Sequence, residues 1–183
     1  MDTISANPLY RKAAAGDSVN QAALLISALV HGESPRKPLA VFAPKEPFTV
    51  ATRGDKTVIA DASYARYDAF ADAVASVDAH AAAAAYQALR GPLETALHAL
   101  GYPDARLDDF TARALRRVAA APVQEGDVAL VGRKGFFVFA DPKLEQSAEV
   151  EKHFLRMGPR NTKILQAKAR ELLGALGLPA SGQ

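Results

Sequence analysis

The chain has 183 residues, of which 49% are hydrophobic and 23% are charged, as in ordinary globular proteins. This length fits one domain, so we expect a single globular domain over residues 1–183. A formal net charge of +2 gives no reason to expect a nucleic-acid partner. Cysteine is absent, which excludes disulfides, thiolate zinc sites and cysteine catalysis. The longest apolar run, 22–30, is far shorter than the ~20 residues that span a bilayer.

The N-terminal part of the sequence predicts two helices followed by a proline-rich connector. Pro8 suits the first turn of a weak helix over 7–16. Ser18 is predicted to cap a second helix, which ends at Gly32, a residue type common just after helix C-termini. Four prolines then lie among small and basic residues in 34–47. We therefore expect 34–47 to be an extended connector between the N-terminal helices and the body, lying across the surface.

Two stretches predict β-hairpins. The first covers 48–60, with Gly54 in its turn, and the second covers 128–139, with a turn at 132–135. Each hairpin is followed by Ala-Asp, and the aspartate is a good N-cap for a helix after it. Because an isolated hairpin is only marginally stable, we expect the two to pair in one small antiparallel sheet against the helices.

The segment after the first hairpin predicts a series of helices. Asp61 or Ser63 is predicted to cap one helix, and Asp78 is predicted to cap another. Apolar residues at spacings of three and four form one seam over 82–100, and the seam keeps its phase across Pro92. This pattern favours either one helix kinked at Pro92 or two helices that meet with continuous burial.

The C-terminal part predicts helices on both sides of a sharp corner. Ser147 is predicted to cap a helix that ends at Met157, and Gly158 and Pro159 make the corner. The final helix then runs to Leu176. Taken together, the predicted elements indicate a mainly α (α+β) fold, in which a helical bundle carries two short β-hairpins.

Five short motifs resemble those of one known family. They are SPRKPL at 34–39, SYARYDAF at 63–70, GYPD at 101–104, FADP at 139–142 and LRMGPRN at 155–161. In this order they resemble the bacterial domain of unknown function 3014 family over nearly the whole chain. Members of that family are typically attached to the inner membrane by an N-terminal helix and a proline-rich spacer. The resemblance therefore implies a setting at the periplasmic face of the inner membrane.

The family resemblance implies neither an activity nor catalytic residues, because none is established for that family. The displayed sequence shows no N-terminal anchor, which leaves open whether an anchor was removed or was never present. As displayed, the chain is expected to be soluble.

Residues that could carry catalysis or bind a metal are scattered along the sequence. The four histidines lack metal-ligand spacing; they are His31, His80, His98 and His153. Paired acids lie mostly near predicted helix starts, where they complement the helix dipole. No phosphate-binding loop, dinucleotide fingerprint or Gly-x-Ser-x-Gly motif is present. We therefore predict no catalytic residue, no metal site and no cofactor, and an enzyme is not the expected class.

Positive charge is concentrated in one window, 152–170, which contains six basic residues and no acid. Lys152, Arg156 and Arg160 fall near the predicted corner, where a new helix has free N–H groups. Arginines beside a helix N-terminus can hold a phosphate or a carboxylate, so these three residues are the candidate anion-binding site. We favour the alternative that both arginines pair internally and stabilise the corner. The acid expected to pair with them is Asp141, Glu145 or Glu149.

Three functions follow from these observations. The first is an uncharacterised envelope-associated domain that acts as a protein–protein interaction or structural module without catalysis, through a helical groove or a hairpin edge. The second is an anion or anionic-polymer binding module at the basic corner. The third is an unrecognised hydrolase, which a pocket joining His98 or His153 to two carboxylates would support. A protein partner of unknown identity is expected, nucleic acid is not, and the oligomeric state stays open.

Overall fold

The computed structural model describes residues 4–179 and is mainly α with one small sheet, as predicted. The helices are α1 (Pro8–Ala14), α2 (Ser18–His31), α3 (Asp61–Ala65), α4 (Asp68–Ala75), α5 (Ala79–Ala88), α6 (Arg90–Ala99), α7 (Leu107–Ala119), α8 (Pro142–Glu145) and α9 (Glu149–Ala175). The strands are β1 (Val50–Arg53), β2 (Lys56–Ile59), β3 (Ala129–Arg133) and β4 (Phe136–Phe139). No helix of the described part is long and apolar enough to cross a membrane. The ends of the predicted domain, 1–3 and 180–183, lie outside the described residues.

The two hairpins form one four-stranded antiparallel sheet in the order β1-β2-β3-β4, which confirms the predicted pairing. The hairpins join through β2 and β3. Because side chains alternate between the faces of a strand, Ile59, Leu130 and Phe139 share one face. These three residues are buried together with Leu155 of α9. The sheet therefore packs on the first half of α9.

The helices bury two further apolar clusters. One lies between α2, α6 and α7 and is centred on Ala23, Leu97 and Leu107, none of which has exposed surface. The other lies between α4 and α9 and includes Ala71 and Phe154. Since α2 shares its cluster with α6 and α7, this N-terminal helix is part of the core of the helical body. Burial of such apolar surface is the main favourable contribution to folding.

Two predicted serine caps are wrong by one residue. Helix α2 begins at Ser18, and the carboxylate of Asp17 accepts a hydrogen bond from a backbone N–H in its first turn. Helix α9 follows Ala148, whereas Ser147 donates its hydroxyl to a backbone carbonyl of α8. At α2 a carboxylate can serve as a cap as well as a hydroxyl, so the serine alone did not identify the first helical residue. At α9 the Ala148 N–H donates instead to the Glu151 carboxylate in the first turn.

The predicted cap at the start of α3 is also wrong. Helix α3 begins at Asp61, after Ala60, without a hydrogen bond from a capping side chain. Ser63 lies inside the helix and has no exposed surface. Its hydroxyl donates to the Thr49 carbonyl over 2.7 Å and accepts the Thr49 N–H over 2.7 Å. Ser63 therefore joins α3 to the residue that precedes β1.

The seam over 82–100 belongs to two helices that meet at Leu89, where φ is −100° and ψ is 9°. Of the two predicted alternatives, the meeting of two helices is confirmed and a kink at Pro92 is wrong. Pro92 lies in the first turn of α6, where a backbone N–H would have no partner within the helix, so proline is tolerated there. Leu93 is buried immediately after it.

The connector 34–47 contacts the helical body at several points. It contains one 3₁₀ turn, Ala40–Phe42, and is therefore not extended throughout. The ring of Phe42 lies on Phe70 of α4, with 5.1 Å between the ring centroids. These contacts explain the apolar residues in a segment that otherwise reads as a linker.

The predicted corner is a bend within α9. Gly158 has φ 78° and ψ 169°, a conformation that residues with a Cβ rarely adopt. A Cβ at this position would lie 2.7 Å from ring atoms of Tyr64. Three residues later the buried amide of Asn161 donates to the Tyr64 carbonyl and to the Asp68 carboxylate. The bend thereby holds α9 against α3 and α4.

Candidate functional site

The three predicted anion-binding residues lie on both sides of the bend in α9, and they contact different elements. Beyond the bend, Arg160 forms ion pairs with Asp72 at 3.0 Å and with Asp68 at 3.4 Å. Both carboxylates belong to α4. Internal pairing of Arg160 is thus confirmed, but its partners are not the predicted Asp141, Glu145 or Glu149.

Before the bend, Lys152 has the acid partners that were predicted for the arginines. Its ammonium lies 3.1 Å from the Glu149 carboxylate and 3.7 Å from the Glu145 carboxylate. Only 14% of the Lys152 side chain is exposed. Lys152 therefore joins α9 to α8.

Arg156 has an aromatic partner. Its guanidinium carbon lies 4.9 Å from the ring centroid of Phe139 on β4, which is a cation–π contact. Within the described part of the chain Arg156 forms no ion pair with a carboxylate, so the predicted acid pairing is wrong for this residue. Lys152 therefore contacts α8, Arg156 contacts β4 and Arg160 contacts α4.

The remaining charges of the basic window also have protein partners. Lys163 pairs with Glu125, and Arg170 donates to a carbonyl at the end of α7. Lys168 is almost fully buried, where it donates to the Val77 carbonyl and pairs with an acid one turn later. Much of the charge concentration in the sequence therefore serves contacts of α9 with the rest of the fold.

A serine and a histidine meet where the connector crosses α9. His153 Nε2 lies 2.8 Å from Ser34 Oγ, so the two form a hydrogen bond. Burial lowers the pKa of His153, and the positive charges of Arg156 and Arg36 lower it further, while Glu149 opposes them. A neutral histidine beside a serine hydroxyl is the first half of a nucleophile–base relay. Among the described residues, His153 forms a hydrogen bond with one hydroxyl and not with the two carboxylates that would support the hydrolase hypothesis.

The other histidines take part in separate local contacts. His31 Nδ1 donates a hydrogen bond to the Ser27 carbonyl over 2.9 Å, and the ring stacks on Tyr102 at a centroid distance of 5.2 Å. His98 lies 3.4 Å from the Ala105 carbonyl oxygen. Among the described residues, no group of three or more His, Asp or Glu side chains could hold a metal ion.

An apolar groove of about 520 Å³ opens between α1, α2, α5 and the 3₁₀ turn of the connector. Its larger lining side chains include Tyr10, Leu25, Phe42, Tyr86 and Leu89. Among the described residues that line the groove, only Lys12 is charged. A concave, mostly apolar surface with few polar groups is the usual form of a binding site.

One wall of the groove is held in place by a polar network behind it. The Tyr86 hydroxyl donates to the Asp108 carboxylate over 2.7 Å. The same carboxylate accepts two hydrogen bonds from Arg90, over 2.7 and 2.8 Å. Burial is the main cause that raises the pKa of Tyr86, so its hydroxyl remains a neutral donor at physiological pH. These hydrogen bonds therefore restrain the wall on the side where α5 meets α6.

Residues 18–173 match the family described as "Protein of unknown function (DUF3014)". The chain belongs to this family. The DUF3014 match extends from α2 almost to the end of α9, and it confirms the resemblance that the short motifs predicted. No curated protein and no solved structure matches this DUF3014 chain. Attachment to the inner membrane stays a prediction.

Sequence reasoning did not identify the residues that line the groove. A usable signal was present in the connector, where the apolar run over 39–42 is unusual for a linker. In the structure Val41 is 37% exposed and lines the groove. The other walls come from helices distant in sequence, and no local pattern shows that they meet.

Proposed function

We propose that this DUF3014 domain is a protein–protein interaction module without catalysis, and that its groove binds an amphipathic helix of a partner protein. The observation that carries this proposal is the apolar groove between α1, α2, α5 and the connector. Contiguous accessible apolar surface with a polar rim is typical of interaction sites. The proposed setting is the periplasmic face of the inner membrane, as the family resemblance implies.

The shape and charge of the groove favour a helix as its occupant. Three of its walls are helices, and a further amphipathic helix can place an apolar stripe between them. The positive charge of Lys12 favours an acidic residue near the edge of that stripe. A partner helix with both features complements the groove in shape and in charge.

The hydrogen bonds behind Tyr86 favour a groove that is already formed in the absence of the partner. Because the Tyr86 hydroxyl is bonded to Asp108, and Asp108 is bonded to Arg90, this wall has little freedom to lose on binding. Preorganisation of this kind lowers the entropic cost of association.

Site-specific photo-crosslinking in the full-length natural protein tests the proposal. A photoreactive residue replaces Gln21, which is exposed and lines the groove. In the control it replaces Lys134, which is exposed at the tip of the second hairpin. After illumination of membrane fractions, mass spectrometry identifies the attached peptides. We expect Gln21, and not Lys134, to capture one amphipathic helical segment that carries an acid beside its apolar stripe.

Two outcomes contradict the proposal. Capture of the same peptides from Gln21 and from Lys134 would show that the groove is not the contact surface. Capture of this chain's own peptides from Gln21 would identify a second copy as the occupant and overturn the proposal of a different partner.

A second candidate function is anion or anionic-polymer binding at the basic corner by Lys152, Arg156 and Arg160. The observation that favours it is Arg156, which forms no ion pair with an acid in the described part of the chain. Lys152 and Arg160 already pair with carboxylates, so an anion would compete with these for them. Titration of the protein with inorganic phosphate, followed by the amide NMR spectrum, tests this candidate. Arg156→Gln is expected to weaken phosphate binding, and unchanged binding in this variant would contradict the candidate.

A further inference from the structure

The tip of the second hairpin, residues 131–137, is exposed at every position. The base of the same hairpin is buried against α9, so the body of the protein covers only that end. Large apolar side chains are nevertheless accessible at the tip. Val131 is 52% exposed, Phe136 57% and Phe137 38%. A cluster of exposed apolar residues of this kind is typical of a surface that contacts a partner or a membrane.

The apolar side chains lie on both faces of the tip. The register of β3 and β4 and the alternation of side chains place Val131 and Phe136 on one face, which points away from the cluster under the sheet. Phe137 is on the opposite face, where its ring centroid lies 6.3 Å from that of Phe48. The tip is therefore a wedge with accessible apolar surface on two sides.

Positive charges accompany this wedge. Arg133 ends β3, Lys134 follows it in the turn, and Lys56 begins the neighbouring strand β2. In the described part of the chain none of these three cations forms an ion pair, whereas Arg53 on β1 already pairs with two carboxylates. The one acid in the two hairpin turns is Asp55, so the three cations exceed it by two. The wedge therefore combines apolar surface with excess positive charge.

The backbone edge of β4 offers little for a further strand to pair with. The Phe139 N–H at this edge donates to the Glu145 carboxylate over 2.9 Å. Glu145 belongs to α8, which follows β4 directly and covers this end of the strand. A short edge that a side chain already covers is a poor template for strand addition. The accessible feature of the tip is therefore its side chains.

We propose that the tip of the second hairpin docks on the surface of an anionic lipid bilayer. Phe136, Phe137 and Val131 enter the interfacial region, while Arg133 and Lys134 contact anionic headgroups. A wedge with apolar side chains on two faces fits a medium that surrounds it, whereas a flat protein surface would cover one face. Buried apolar area and attraction to anionic lipid together determine the strength of such binding. This inference concerns a surface other than the groove and does not depend on the proposed function.

Tryptophan fluorescence tests the proposal, because the 183-residue chain contains no tryptophan of its own. Phe136→Trp places an indole at the tip. The control, Leu24→Trp, places one on α2, where Leu24 is 40% exposed. Each variant is titrated with vesicles of phosphatidylcholine, alone or mixed with an equal amount of phosphatidylglycerol. We expect the Phe136→Trp emission to move to shorter wavelength with the mixed vesicles only, and the Leu24→Trp emission to stay unchanged.

Co-sedimentation with the mixed vesicles measures how much the charges and the apolar side chains contribute. The double variant Arg133→Gln and Lys134→Gln is expected to bind about 25-fold more weakly, since each cation near an anionic surface strengthens binding about fivefold. Phe136→Ser is expected to weaken binding at least about fivefold. The matched control, Arg106→Gln and Arg113→Gln, removes the same charge from two exposed positions just before and within α7 and should bind like the wild type. Circular dichroism verifies that each variant is folded.

Four outcomes would overturn the proposal. The first is an unchanged Phe136→Trp emission with mixed vesicles, and the second is an equal change in Leu24→Trp. The third is equal weakening by the two double variants, which would assign the binding to net charge and not to the tip. The fourth is a change in Phe136→Trp emission as the protein concentration rises without vesicles, because a second copy of the chain would then cover the tip.

Discussion

Gly158 is the residue on which the bend in α9 depends. Its φ of 78° and ψ of 169° lie in a region that is essentially restricted to glycine. The neighbouring Tyr64 ring also occupies the space that a Cβ would need. The sequence predicts a corner here from glycine followed by proline. The contact with Tyr64, 94 positions earlier along the chain, follows only from the tertiary structure.

We expect Gly158→Ala to lower the free energy of unfolding by about 3 kcal/mol or more, because backbone strain adds to the clash with Tyr64. The matched control is Gly174→Ala in the same helix, where a Cβ meets no atom within 4 Å. That substitution should leave stability unchanged or raise it by up to about 1 kcal/mol. Urea denaturation measures both changes. Equal effects of the two substitutions would show that the bend needs no glycine.

Among the elements, the connector depends on few attachments to the body. The hydrogen bond between Ser34 and His153 joins its first residue to α9, and Phe42 packs on α4. Arg66 also donates to the Glu46 carbonyl near its end. The prolines predicted that this segment would contain no long helix. They did not predict which side chains of the body would hold it.

The His153 contact predicts a dependence of stability on pH. Its folded-state pKa lies below the ordinary value of 6.5, because burial, Arg156 and Arg36 disfavour the charged ring. The unfolded chain therefore binds a proton more readily. This contribution to stability is intact above about pH 6.5 and is lost as the pH falls from 6.5 towards the folded-state pKa. The loss cannot exceed about 1.4 kcal/mol per pH unit for one proton.

Urea unfolding at pH 7.5 and pH 5.5 measures this dependence in the wild type and in His153→Gln. The wild type is expected to lose more stability between the two pH values than the variant does. His80→Gln, which replaces an exposed histidine in α5, is the control and should behave as the wild type. An identical pH dependence in wild type and His153→Gln would contradict the assignment.

The elements themselves were largely predictable, because the patterns that define them are local. Alternation and turn glycines identified both hairpins, and their pairing followed from the instability of a lone hairpin. Cap positions were less predictable, since Asp17 and Ser18 are both good caps and only the backbone decides between them. The partners of Arg156 and Arg160 were beyond prediction, because Phe139 and Asp72 reach them through tertiary packing.

At the scale of the whole molecule, the candidate sites arise where distant segments meet. The groove is formed by α1, α2, the connector and α5. Periodicity identifies the apolar face of each helix, but it does not show which faces stay accessible after packing. This explains why the sequence predicts a module that binds its partner through a helical groove but does not show which residues line that groove.

The central claim is that the apolar groove binds a partner helix, and the affinity for the captured segment tests it most directly. Isothermal titration calorimetry compares the wild type with Ala85→Trp, which places a large ring in the groove. The matched control is Ala84→Trp, on the neighbouring, exposed position of α5 that does not line the groove. Circular dichroism first verifies that both variants are folded.

We expect Ala85→Trp to weaken binding of the synthetic segment at least about tenfold, because the ring occupies the volume that the apolar stripe needs, whereas Ala84→Trp should bind like the wild type. Wild-type affinity in a folded Ala85→Trp variant would contradict the assignment of the groove as the binding site.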